Sequence, residues 1–149
     1  MAIDFDGFPI YDGIIQDNST YLSDVWMTSF STFYDSLVQN TFNYTYSSAF
    51  TVQMQSNTGY VNNNTYSVNF NLPKTASFGD IIKVNSMSIS GFKITQNNGQ
   101  SIQVDTSTTT AGTDGYIQSS NIGVCVTLVC VEENIKWLVE SQKGSITVV

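Results

Sequence analysis

The sequence predicts a mostly β fold. We expect an antiparallel β-sandwich or jelly-roll-like domain over residues 42–149, preceded by an N-terminal arm and one amphipathic helix in residues 1–41. Three observations carry this. From Phe42 onward apolar residues recur at every second position, the period of a strand with one face buried. Turn-forming clusters separate these runs at the spacing of short-stranded β domains, roughly every 8–12 residues. Only one stretch has a helical period, and it lies ahead of all the others.

The first twenty residues mix four acids (Asp4, Asp6, Asp12 and Asp17) with Ile3, Phe5, Phe8, Ile10, Ile14 and Ile15. Gly7, Pro9 and Gly13 interrupt them, so this reads as an extended arm with turns. Asp4 to Gly7 has the opening of a calcium loop but lacks its third ligand and distal Glu. From Tyr21 to about Phe42 the apolar residues Leu22, Trp26, Phe30, Phe33 and Leu37 fall at helical intervals, and Val25, Tyr34 and Val38 widen the stripe. Asn18, Ser19 and Thr20 supply N-cap side chains. This heavy stripe is read first as cover for the neighbouring sheet. Its five leading residues are also the candidate attachment or oligomer interface.

The strands follow. Phe42, Tyr44 and Tyr46 alternate, then Phe50, Val52 and Met54, then Tyr66, Val68, Phe70 and Leu72, with Pro73 ending the third run. Ser47-Ser48, Ser56 to Gly59 and Asn62 to Asn64 are read as the turns between them. Shorter strands are expected at Ile81–Val84, Met87–Ile89 and Phe92–Thr95, and Asn97-Asn98-Gly99 is a hairpin signal leading into Ile102–Val104. Asp105 to Gly115 reads as a Thr/Gly loop. Val124–Val131, Lys136–Glu140 and Ser145–Val149 complete the set, the first two joined by a turn at Glu132-Glu133-Asn134. Val124–Val131 is apolar on both faces except at Thr127, as in a central strand covered on both sides or buried between subunits.

Composition narrows the function. Charged residues are only 11% of 149, against roughly 25% in an average domain, while Asn, Ser, Thr and Gln number 14, 19, 17 and 9. The alternation places these amides and hydroxyls on the outer faces of strands. Net charge is −7 with no basic cluster, which speaks against nucleic acid and anionic membranes. There is no His and no Arg, so there is no imidazole base or metal ligand and no bidentate phosphate clamp. We expect no enzyme, no catalytic residues, no cofactor and no metal site. A polysaccharide hydrolase, which needs two carboxyls facing across a cleft, is a remote option. No signal peptide and no membrane-spanning run is visible, so synthesis in a cytoplasm as a soluble chain is expected. Cys125 and Cys130 sit on opposite faces of one strand and read as buried, unpaired thiols. The glycosylation triplets at Asn18, Asn43 and Asn63 are the chance matches of a chain rich in Asn and Thr. Exposed Tyr and Asn suit sugar contact, and the loops Thr58–Thr65 and Thr106–Tyr116 offer Tyr60, Asn63, Thr109, Asp114 and Tyr116 as candidate receptor contacts.

Several segments of the second half also resemble a known family. They are Phe70-Asn71-Leu72-Pro73, then Phe78-Gly79-Asp80, then Gly91 through Ile102, then Thr108 through Ile117. Cys125 through Cys130, Trp137 and Gly144-Ser145-Ile146-Thr147-Val148 follow in order. Together, over about residues 60–149, they resemble the β-rich domain at the C-terminal ends of bacteriophage tail-fibre and other virion appendage proteins. The resemblance implies an exposed, structural virion component, in many appendages a homotrimer, and brings no catalytic residues. The family's long upstream shaft has only the arm and helix in its place here. The expectation is therefore a capsid-decorating, head-fibre or tail-appendage subunit at the virion surface. Its partners would be its own copies and other virion proteins, with a host-surface glycan as partner if it is a receptor-binding fibre tip.

Overall fold

The computed structural model describes residues 42–149, together with Thr28, Ser29, Ser31 and Thr32. Those four residues are helical, and the Thr32 hydroxyl donates to the Thr28 carbonyl at 2.8 Å. The arm and the helix-stripe residues Leu22, Trp26, Phe30, Phe33 and Leu37 lie outside the described residues.

Twelve strands build the unit that begins at Phe42. They are β1 (Asn43–Tyr46), β2 (Thr51–Gln53), β3 (Thr58–Asn62), β4 (Val68–Asn71), β5 (Ile81–Ser86) and β6 (Phe92–Thr95), followed by β7 (Ser101–Val104), β8 (Ser107–Thr108), β9 (Tyr116–Ser119), β10 (Cys125–Glu132), β11 (Lys136–Lys143) and β12 (Thr147–Val148). One sheet has the order β1-β3-β5-β10-β11-β7-β8, the other β12-β9-β6-β4-β2. The fold is mostly β, as expected, but its sheets are mixed rather than antiparallel. β1, β3 and β5 run parallel in the first sheet, and β2, β4 and β6 run parallel in the second. The chain thus winds between the sheets, leaving one strand in each on every turn. β7 keeps the direction of β5, yet the antiparallel hairpin β10–β11 is inserted between them.

Alternation explains where the core lies. Val68, Phe70, Phe92, Ile94 and Ile117 of one sheet and Ile82, Val84, Ile102, Leu128, Cys130 and Trp137 of the other enter one buried cluster. Tyr60 and Phe70 meet across it, with ring centroids 5.5 Å apart. The opposite face of the five-stranded sheet is wholly polar. Thr51, Asn69, Lys93, Gln118 and Thr147 align in one row, and Gln53, Asn71, Thr95 and Tyr116 in the next. The expected placement of amides and hydroxyls on outer faces holds there. Thr95 Oγ1 donates to Asn71 Oδ1 at 2.6 Å, and Lys93 Nζ lies 3.6 Å from the Tyr116 ring centroid.

Five expectations change. Asp105 to Gly115, read as a loop, contains the short strand β8, which pairs with β7. Thr58–Asn62, read as parts of two turns, is the strand β3, because Tyr60 turns into the core while Gly59 faces out under the Tyr44 ring. Met87–Ile89 is not a strand; Met87 and Ile89 are exposed there. Asn97-Asn98-Gly99 makes its turn, with Gly99 at φ 81°, but joins strands of different sheets and so forms no hairpin. Tyr44 and Tyr46 face outward, since their partners across the ladder are Gly59 and Val61 on the outer side. The β10–β11 hairpin turns where expected. β10 is central in its sheet, with Val126, Leu128 and Cys130 fully covered and the opposite face half-buried.

Candidate functional site

Three connections meet at one corner of the winding: the β2–β3 turn, the β4–β5 loop and the β10–β11 turn. Asparagines in the left-handed conformation fix it. Asn57 (φ 59°) donates its N–H to the Ile81 carbonyl at 2.7 Å, and its Oδ1 accepts the Ile81 N–H at 3.0 Å. Asn134 (φ 59°) does the same with Ala76, donating its N–H at 3.1 Å and accepting through Oδ1 at 2.7 Å. Each imitates a ladder pair where no strand continues, and Asn reaches this φ at less cost than most residues. Gly79 N–H to Cys130 O at 2.8 Å and Cys130 N–H to Asp80 O at 2.9 Å sew the loop onto β10.

Within the loop, Ser77 to Asp80 form a turn closed by Asp80 N–H to Ser77 O at 3.1 Å, with Gly79 at φ 87°, as a type II turn requires. Phe78 stands at its tip and is 79% exposed. The Asp80 carboxylate accepts the Ser77 N–H through Oδ2 at 2.9 Å and the Asn57 amide through Oδ1 at 3.1 Å. Burial by itself would raise this carboxyl. The Ser56 hydroxyl, the Ser77 N–H and the Asn57 amide outweigh that and hold it below its ordinary value. Burial, with the charges of Asp80 and Glu133 nearby, pushes the Cys130 thiol up.

Two open recesses lie along the β4–β5 loop, and the smaller one borders this turn. One of about 350 Å³ is lined by Thr75, Ala76, Ser77, Asp80, Glu133 and Asn134. The other, about 550 Å³, is lined by Gln53, Met54, Gln55, Ser56, Pro73, Lys74 and Thr75, so Thr75 borders both. The smaller recess is mainly polar, with the Asp80 and Glu133 carboxylates in its lining, whereas the larger one exposes mainly apolar surface and is bordered by Lys74. Among the described residues no three of Cys, Asp and Glu converge to hold a metal ion. No helix among them is long and apolar enough to cross a membrane.

Two of the residues expected to contact a receptor, Tyr60 and Thr109, are buried. Tyr60 is 4% exposed, and its Oη accepts the Gln55 N–H at 2.7 Å. Thr109, also 4% exposed, donates to Gln96 Oε1 at 2.6 Å and accepts the Ile102 N–H at 2.8 Å. Asn63 and Asp114 are exposed, and Tyr116 lies half-buried in β9 under Lys93. The corner was missed because its residues come from three separated segments. The available signals were the turn Ser77 to Asp80, which puts an aromatic next to a glycine, and the lone Asn134 after two acids.

A second feature is the outer edge of the winding. β1 and β2 close the two sheets at the same end of the strand order. From Ser36 to Pro73 there is no charged side chain. Tyr44, Tyr46 and Phe50 are exposed there, and the Phe50 ring stacks on Tyr66 at 4.1 Å. Compared with protein-family models and with curated proteins, the chain matches none.

Proposed function

We propose that the chain is a non-enzymatic structural subunit of a bacteriophage particle, in a capsid-decorating, head-fibre or tail-appendage position. On this reading it assembles as a homotrimer that exposes its β unit on the virion surface. The observation that carries the reading is the uncharged edge at β1 and β2. Natural sheets guard open edges with lysine, proline or bulges, because unpaired backbone groups recruit other chains. No charge or proline stands in β1 or β2 themselves, and aromatic side chains project there instead, the one cation placed against them being Lys83, whose Nζ lies 4.8 Å from the Phe42 ring centroid among the described residues. Such an edge is suited to being covered by protein, and the charge-free stretch lets copies approach without the repulsion that a net charge of −7 imposes elsewhere. The segmental resemblance to phage appendage domains supports the same role. Residues 1–41 act as its attachment and assembly module.

Light scattering on the purified chain tests the assembly and should give the mass of a trimer; a stable monomer overturns it. Immunogold labelling of phage particles should place the protein on the head or tail surface. Particles that carry none contradict the virion role.

A further inference from the structure

We propose that copies of this chain pack against one another through a row of four loops at one end of the strands. The rotation axis runs along the row, so that each loop meets its own counterpart. The loops are residues 47–50, 63–67, 87–91 and 120–124, which join β1 to β2, β3 to β4, β5 to β6 and β9 to β10. This contact face rests on the assembly role proposed above and gives it a place beyond the β1 and β2 edge.

Strand direction puts the four loops side by side. β1, β3 and β5 run parallel and β10 runs antiparallel to β5, so the loops leaving the first three and the loop entering β10 share one end of the sheet. Hydrogen bonds lace each loop to the next. The Tyr66 hydroxyl donates to the Ser48 carbonyl at 2.7 Å, the Ser90 hydroxyl to the Thr65 carbonyl at 2.9 Å, and the Gly123 N–H to the Ser86 carbonyl at 2.8 Å. On this framework Phe50, Met87, Ile89 and Ile122 are each at least 60% exposed. Single exposed apolar residues are ordinary, but four on one bonded row mark a contact surface. The row starts at the uncharged edge, where the Phe50 ring stacks on Tyr66.

Residue types decide what covers the row. Its loops hold only Ser, Thr, Asn, Tyr, Gly and apolar residues, with no charge among them. The connections at the other end of the strands carry Lys74, Asp80, Asp114 and Glu133 instead. At the same end charge returns only past the row, at Lys143 of β11 and at Asp105 after β7. A rotation axis sets each residue beside its own copy. Apolar side chains pack on themselves, and hydroxyls and amides both donate and accept, so they bond to their own kind. A charged group fails there, because it meets the same charge. A row free of charge is therefore matched to itself. A different protein imposes no such restriction, since its charges can oppose those of the surface it binds. A lipid surface is disfavoured because Asn63, Asn64 and Asn121, set among the apolar residues, would give up their hydration in hydrocarbon.

The test substitutes Ile89 in the full chain and reads mass by light scattering. Ile89→Lys and Ile89→Asp, each alone, should lose the oligomer, because like charges then meet on the axis. A mixture of the two variants should recover it, since opposite charges then face each other at the same position. Ile122→Lys should also lose the oligomer, whereas Thr113→Lys, exposed at the other end of the strands, should keep it. Ile89 and Ile122 are exposed, so the circular dichroism spectrum of each variant should match the parent. An oligomeric parent whose mass Ile89→Lys leaves unchanged overturns this face and spares the assembly role. A monomeric parent overturns both. Loss in each variant without recovery in the mixture overturns the contact of like with like. Flotation of the parent with phosphatidylcholine vesicles, abolished by Ile89→Lys at unchanged mass, would assign the row to lipid and overturn the proposal as well.

Discussion

Asp80 holds the corner together, and its charge gives the corner a pH dependence. Its carboxyl lies below the ordinary value of 3.8 in the folded chain, so the folded state gains stability from the charged form. That gain is complete above the unfolded-chain value and is lost as pH falls through the lower folded value. Asp80→Ala should therefore cost about 1 kcal/mol near neutral pH, from two lost hydrogen bonds at a partly solvated site. Thermal unfolding should show the gap between variant and parent closing below pH 4. A gap that persists in acid would mean that shape rather than charge is responsible. The buried amide of Gln96 carries more. Its Nε2 is shared among the carbonyls of Gln100, Thr110 and Gly112 at 2.6, 2.7 and 2.7 Å, and its Oε1 takes the Thr109 hydroxyl. Gln96→Leu removes all four bonds, although the Gln100 and Gly112 carbonyls keep a backbone partner and Thr109 keeps the Ile102 N–H, and it should lower stability by about 2 kcal/mol, measured by chemical denaturation. The two thiols should also separate in a labelling experiment. Half-buried Cys125 should react with a thiol reagent well before Cys130, which is fully covered and whose thiolate is disfavoured by burial.

At the scale of strands and turns, the winding depends on close backbone approaches that only glycine permits. A Cβ on Gly91, at φ 66°, would stand 1.7 Å from the Ser119 carbonyl oxygen where β6 runs beside β9. Gly91→Ala should accordingly cost about 3 kcal/mol or more and leave little folded protein by circular dichroism. The edge strand β1 makes the opposite prediction. Tyr46 is 68% exposed, so Tyr46→Lys should leave the fold intact while placing a charge on the uncharged edge. Light scattering should then show loss of the oligomer with an unchanged circular dichroism spectrum. Strands with strong alternation, such as Val68–Asn71 and Phe92–Thr95, were legible residue by residue. β3 was not, because Gly59 and Asn62 look like turn residues in isolation. Asn62 is nevertheless fully buried, its amide donating to the carbonyls of Tyr66 and Gly91 at 3.0 and 2.6 Å.

For the molecule as a whole, charge is divided along the chain. All five lysines lie between Lys74 and Lys143, whereas Asp4, Asp6, Asp12, Asp17, Asp24 and Asp35 precede the β unit without a single cation among them. The unit from Phe42 is thus close to electrical balance, and the excess negative charge belongs to residues 1–41. Removing residues 1–40 should make the remaining chain less acidic and, on the proposed role, abolish attachment to the particle. Particles that still bind the truncated chain in a pull-down would remove the attachment role from that segment.

The sequence by itself determined the strand content, the polar outer face and the turn at Glu132 to Asn134. These depend on side-chain alternation and local turn chemistry, which a linear chain displays directly. Only the tertiary structure decided that the strands wind in parallel between two sheets. Strand partners are set by pairings such as Asn43 with Thr58 and Thr58 with Ile82, whose unequal spacing leaves no repeat to read. Only the tertiary structure, likewise, brought Ser77, Asp80, Glu133 and Asn134 to one recess. A site assembled from a loop and a distant hairpin depends on where β10 enters the sheet, and that is decided by the packing of the shared core.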